Sequence, residues 1–151
     1  MKTNGTLSKI FSDPKHSGVY SVTGEADDIE RAARTAGLAI VKVDLGRARG
    51  KSELLGLLAR ALKFPKYFGK NWDALHDSLT DLAWLTAKGW LVIITRAKSF
   101  AGRHTEHFAT AVEVLQAAAE HWRSQGRPFW VLVQGDNDWD PGLPKLPQTD
   151  P

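Results

Sequence analysis

Cysteine is absent from the 151 residues, and methionine occurs once. A chain without thiols has no disulfide framework, no thiolate zinc site, no iron–sulfur cluster and no cysteine nucleophile. No apolar run approaches the ~20 residues that span a bilayer. The opening Met1-Lys2-Thr3-Asn4-Gly5 leads into polar sequence rather than a secretory apolar segment. The expectation is a cytoplasmic protein that does not engage a membrane. No glycine-rich phosphate loop follows any candidate strand, so both common nucleotide-binding fingerprints are missing. The length suits one domain, since ~100–200 residues is usual for one core.

Charge is present but unevenly spread. The formal net charge is +3. Residues 31–70 carry ten Lys or Arg against Asp44 and Glu53, a net +8. Residues 71–84 carry Asp73, Asp77 and Asp81 with no Lys or Arg, a net −3. The stretch 134–151 sets four Asp against Lys145, again −3. A basic half attracts nucleic acid and an acidic patch attracts a cationic protein, so composition alone leaves both open.

Residues 1–17 are polar without periodicity and read as a flexible arm. Residues 135–151 are rich in Pro and Asp and read as an extended tail that wraps back or hangs free. Between them, apolar runs alternate with helical periods. Strands are expected at 18–22, 38–45, 90–95 and 128–134. Helices are expected from Asp27 or Asp28 to Gly37, over 52–63 ahead of Pro65, from the cap Asn71 to about Leu82, and over 106–124. Strands separated by helices favour parallel pairing. The fold class is therefore a layered α/β domain over 18–134, with a small, mostly parallel sheet of three or four strands. Trp90, Trp122 and Trp130 fall on core stripes, Trp72 at the core edge, and Trp84 flanks the acidic helix.

The stretch 64–79 carries the most information. Pro65 to Lys70 forms a rigid, aromatic-bearing approach with Tyr67 and Phe68, and Gly69 is expected to supply an unusual backbone angle before Asn71 caps the helix. Asp73 lies in the first turn, where the helix dipole favours it. Asp73, Asp77 and Asp81 recur at i, i+4 and i+8, stacked on one face, with Leu75, Leu79 and Leu82 on the other. Like charges at that spacing cost ~0.2–0.5 kcal/mol per pair. An outward carboxylate ladder beside aromatic rings suits a cationic pocket, although rows of charge on a helix are commonly just solvated.

The pattern Pro-x-Tyr-Phe-Gly-x-Asn-x-Asp-Ala-Leu-x-Asp-x-Leu at 65–79 resembles the barstar family of intracellular ribonuclease inhibitors. The order of elements over about 38–134 resembles it as well, which makes the strand and helix at 18–37 an addition. The resemblance implies a barstar-like fold and a protein that binds a ribonuclease, performs no chemistry and needs no cofactor or metal. It puts the carboxylate that stands in for RNA phosphate on Asp77 and the preceding acidic contact on Asp73. Tyr67 becomes an approach-loop contact, Gly69 and Asn71 shaping residues, Thr80 a further contact, and Glu120 a second acidic contact on the last helix, while Phe68 and Asp81 are candidate contacts from the residue pattern itself. His76 stands where a large aromatic contact is expected, and Trp84 is the candidate replacement for a displaced tryptophan. The implied partner is an extracellular-type bacterial ribonuclease or related toxin, bound by a monomer acting in toxin immunity.

Two other readings compete. Arg47, Arg49, Lys51, Lys63, Lys66 and Lys70 could track phosphates while Tyr67 and Phe68 stack on bases, making an RNA-binding module. His76 between Asp73 and Asp77 could serve acid–base chemistry, and His104 and His107 with Glu106 could bind a metal, though two histidines fall short of a usual zinc site. Against RNA stands the carboxylate ladder beside the aromatic pair. Against catalysis stands the lack of any nucleophile motif. The target could also be a toxin that is not a ribonuclease.

Overall fold

A computed structural model describes residues 2–23, 27–65, 69–136 and 138–146, with side chains from residue 6 onward. Four strands, β1 (Val19–Val22), β2 (Leu38–Asp44), β3 (Gly89–Thr95) and β4 (Phe129–Gln134), form one sheet in the order β1-β4-β3-β2. Every pairing is parallel. Parallel strands need crossovers, and the helices supply them: α2 (Asp27–Thr35), α3 (Lys51–Ala61), α4 (Trp72–Leu79), α5 (Lys98–Arg103) and α6 (Thr105–Ser124).

The central strands explain why both faces must be covered. Along β3 and β4 every residue up to Ile94 and Val133 is buried, so neither strand has a wet face. Trp90, Val92, Ile94, Phe129, Val131 and Val133 point into the larger core, against Leu54, Leu58, Leu75, Leu79, Leu115 and Trp122 of α3, α4 and α6. Leu91, Ile93, Trp130 and Leu132 point the other way, into a second core with Ala32 and Ala33 of α2. Alternate residues thus feed two cores, the period of two that a strand imposes.

The second core corrects one expectation. Residues 2–12 do not form a loose arm. They form helix α1 (Lys2–Ser12), followed by a single 3-10 turn at Pro14–His16. Leu7 and Phe11 are buried, the Phe11 ring meets Trp130 edge-on at 5.3 Å, and the Trp130 indole N–H donates to the Phe11 carbonyl at 3.1 Å. With only two large apolar residues buried along eleven positions and a glycine inside, α1 has too faint a stripe to detect. It is held by burial rather than propensity.

The tail also docks as far as it is described. The Ser21 N–H donates to the Pro144 carbonyl at 2.7 Å, and the Leu146 N–H donates to the Ser21 carbonyl at 3.2 Å. Leu146 is buried in the second core. The exposed edge of β1 is therefore covered, as unprotected edges tend to be. Helix α5 has no counterpart among the expected elements, because six residues around the single buried Phe100 give no readable period. Among the described residues no helix is long and apolar enough to cross a membrane.

Truncating Phe11 tests whether α1 belongs to the folded unit. Phe11→Ala should lower unfolding stability by about 3 kcal/mol, the usual scale for a deleted core phenylalanine. Denaturant unfolding measures it, and a loss under ~1 kcal/mol would mean that α1 contributes nothing to the core.

Candidate functional site

Helix α4 has eight residues, too few to persist alone, so its neighbours must hold it. Its start is fixed by Asn71, whose side-chain oxygen accepts from the Ala74 N–H at 2.7 Å. Gly69 does not take the expected unusual angle: its φ lies outside the left-handed region, which Lys70 occupies instead at φ 54°. A Cβ added at Gly69 would meet only the Asn71 Nδ2 at 3.4 Å and the Ala74 Cβ at 3.7 Å, ordinary contacts.

Three indoles fix the other end. The Trp122 N–H, reaching from α6, donates to the Leu79 carbonyl at 2.8 Å. The Trp84 N–H donates to the Leu62 carbonyl at 2.9 Å, tying the turn after α4 to the end of α3. The Trp90 N–H donates to the Leu85 carbonyl at 2.8 Å. The Arg127 guanidinium covers this corner, 4.5 Å from the Trp90 ring and 5.1 Å from Trp122. The sequence pattern assigns Trp122 and Trp90 to packing, and no sequence signal tells which carbonyl an indole will meet.

With Leu75 and Leu79 fully buried, the opposite face of α4 is turned to solvent. It carries Asp73, His76 and Asp77, all exposed; the Asp77 side chain is 86% accessible and that of His76 46%. The His76 Nδ1 lies 3.9 Å from an Asp77 oxygen. No cation other than this imidazole lies within ion-pair distance of Asp73 or Asp77 among the described residues. The carboxylates face outward without a lysine or arginine partner among the described residues.

The ladder has two rungs, not three. Helix α4 ends at Leu79, and Leu82 takes a left-handed φ of 49° with its side chain buried. Asp81 therefore leaves the Asp73–Asp77 face, and its carboxylate accepts from the Ala83 N–H at 3.3 Å. The helical period predicts a longer helix because Leu82 is apolar at the right spacing, but the buried leucine closes the helix by turning the chain. Thr80 is the C-cap, its hydroxyl donating to the His76 carbonyl at 2.9 Å.

The other expected site residues divide. Trp84 is half-buried, its ring 5.9 Å edge-on from Phe64. Trp72 packs at the core edge beside His107 at 6.4 Å, with the Lys51 ammonium 5.6 Å above its ring. Glu120 is not brought to the α4 face: it lines a shallow groove with Gly18, Tyr20 and Pro144 on the flank of α6 that faces β1, whereas α4 meets the flank carrying His107. His104 and His107 stack at 6.1 Å and are half-buried. Among the described residues no group of three His, Cys, Asp or Glu is arranged to hold a metal ion. Tyr67, Phe68 and Lys66 lie outside the described residues.

No curated protein sequence matches the chain. Among solved structures, the Aeropyrum pernix ORC2 protein, in its ADPNP–ADP complexes, is similar with a TM-score of 0.58 at 19% identity. The match covers 88% of this chain and 40% of that one, so this chain spans well under half of its length. At that identity the likeness concerns the parallel α/β layering alone. The family model for Barstar (barnase inhibitor) matches residues 38–134, a span that holds β2 to β4 and the whole capped, indole-clamped α4. By that match, the chain belongs to the barstar family.

Proposed function

We propose that the protein inhibits a ribonuclease by seating the acidic face of α4 in its active site. The observation that carries this reading is Asp77: an almost fully accessible carboxylate without a lysine or arginine partner among the described residues, on a helix anchored by buried Leu75 and Leu79, inside the segment matched by the family. A ribonuclease site is cationic because it holds phosphate. A presented carboxylate accepts charge-assisted hydrogen bonds from the same donors and occupies the same place. Asp73, one turn earlier, adds to the attraction, which speeds encounter, and His76 supplies contact area between them. Inhibition is then steric, with no bond made or broken, and the protein acts as a partner rather than an enzyme.

The partner class that fits is a small secreted bacterial ribonuclease or a related toxin, neutralised inside the cell. A complex of ordinary size would bury on the order of 1,600 Å². Gly69, Asn71 and Thr80 contribute by shaping the helix ends, and Tyr67, Phe68 and Trp84 are the candidate aromatic contacts. Asp81 and Glu120 stand apart from the Asp73–Asp77 face and are peripheral in this reading.

Titration into such a ribonuclease should abolish RNA cleavage at a 1:1 ratio, and Asp77→Ala should weaken inhibition at least 100-fold, about 3 kcal/mol, as central interface charges do. Its circular dichroism and melting temperature should match the parent. Undiminished inhibition by Asp77→Ala would overturn the assignment, and failure of the parent against ribonucleases would direct the search to other toxins.

The helix start gives a second, separate expectation. Asn71→Ala should lower stability by about 1 kcal/mol through loss of the cap. Gly69→Ala should stay within ~1 kcal/mol of the parent, because a left-handed backbone is not required there. Both are read from denaturant midpoints, and a larger loss for Gly69→Ala would restore glycine's conformational role.

A further inference from the structure

A groove of about 450 Å³ opens beside α3 at the carboxyl ends of β2 and β3. Open parallel sheets commonly bind ligands at that end. Arg47, Arg60, Lys70 and Arg96 line it, with Asp44 and Glu53 as its carboxylates. None of Asp73, Asp77 or Asp81 borders it.

The two carboxylates are already engaged. The Arg96 Nε and Nη2 donate to the two Asp44 oxygens, each at 2.8 Å, and the Gly46 N–H donates to Asp44 at 2.8 Å. These contacts hold the Asp44 carboxyl below its ordinary range, with the Arg96 hydrogen bond foremost. Glu53 accepts from the Arg49 N–H at 3.1 Å. Arg47, Arg60 and Lys70 make no ion pair among the described residues. Arg47, Arg60 and Lys70 therefore share one concavity in which four Lys or Arg outnumber the carboxylates of Asp44 and Glu53, so its lining is net positive.

The surroundings favour an anion. Gly50 at the N-cap of α3 offers no side-chain acceptor, so the first-turn N–H groups beside Ser52 add to the pull of the cations, while Glu53 in the same turn opposes it. Lys70 and Arg96 both have left-handed φ, 54° and 52°. Gly46 has no Cβ, which at that position would stand 2.4 Å from the Arg96 guanidinium carbon, so its absence lets Arg96 lie across the β2 end. Among the described residues no aromatic side chain lines the groove. The recognised group is the charge chain itself.

We infer that this groove binds a chain of phosphates through Arg47, Arg60 and Lys70, taken either from the backbone of single-stranded RNA or from a free oligophosphate. The site is separate from the α4 face, and it stands or falls independently of ribonuclease inhibition.

The test is an NMR titration of the ¹⁵N-labelled full chain at about 50 mM salt, where phosphate contacts are strong. Inorganic tripolyphosphate, an oligouridylate and an oligoglutamate are the probes. Saturable shifts at the amides of Ser52, Glu53, Lys70 and Arg96 are expected with tripolyphosphate. The double change Arg47→Gln and Arg60→Gln should weaken binding at least tenfold at an unchanged melting temperature, and Lys70→Gln alone should weaken it severalfold. Oligouridylate binding with a log–log salt slope near −2, from ~0.7 per cation, would identify the source as an RNA strand. Tripolyphosphate binding without oligouridylate binding would identify a free oligophosphate. No saturable binding of either phosphate probe overturns the inference, as does oligoglutamate binding equally tightly or retained affinity in the variants.

Discussion

The hydrogen bond from the Trp122 indole to the Leu79 carbonyl decides which carboxylates this protein presents. A helix leaves its last carbonyls without internal partners, and something must meet them if they are buried. Here an indole rooted in α6 meets one of them, while the Arg127 guanidinium lies over the Trp90 and Trp122 rings. Helix α4 consequently stops at Leu79, and buried Leu82 turns the chain away. Asp73 and Asp77 stay on one outward face, and Asp81 leaves it. An eight-residue helix with unpaired charge along one side would unravel in water, so this clamp and the cap at Asn71 replace the stability that length would give.

The sheet makes that clamp possible. Because β3 and β4 bury alternate residues in opposite directions, α6 must lie on one face and α1 with α2 on the other. Trp122 is thereby held at a fixed height above the strands, against Trp90 at 4.6 Å. The match to the family begins at β2, and the N-terminal residues 2–37 supply the cover for the second face together with the edge strand β1. Without α1 and α2, Leu91, Ile93, Trp130 and Leu132 would face water.

The parts of the fold legible in the sequence are those where the physics is local. The strands β3 and β4 are legible because each is a continuous apolar run between turn signals, too short for a core helix and well suited to burial on both faces, and β1 and β2 because they are short, β-branched and bounded by turn signals. Helix α6 was legible because its stripe repeats over five turns. The motif helix was legible from Asn71 onward, since capping is a short-range event. Its end was not, because Leu82 fits the helical period and only its tertiary burial reveals the turn. Helix α1 was missed for the opposite reason: Leu7 and Phe11 are too sparse to make a period, and their burial depends on Trp130, 119 positions beyond Phe11. Glu120 was assigned by resemblance along one helix, and the helix turns it toward β1 instead. The basic run at 31–70 was visible as composition. That Arg47, Arg60 and Lys70 meet in one groove while Lys51 lies over Trp72 could be seen only once the chain was folded.

The two charged surfaces lie close along the chain, Lys70 and Asp73 being separated by the cap Asn71 and by Trp72. At physiological salt, fields decay over about 8 Å, so neighbouring patches of opposite sign are both felt by an approaching molecule. A partner that is cationic throughout is drawn to Asp73 and Asp77 but repelled over the groove. A partner with a cationic pocket and a less basic rim meets no such penalty in one orientation. An acidic helix alone would attract basic surfaces with little discrimination, whereas the cations beside it penalise wrong partners and wrong poses. The modest net charge of +3 thus conceals a strongly polarised surface, and under the proposed inhibition that polarity would select a partner's orientation as well as its sign.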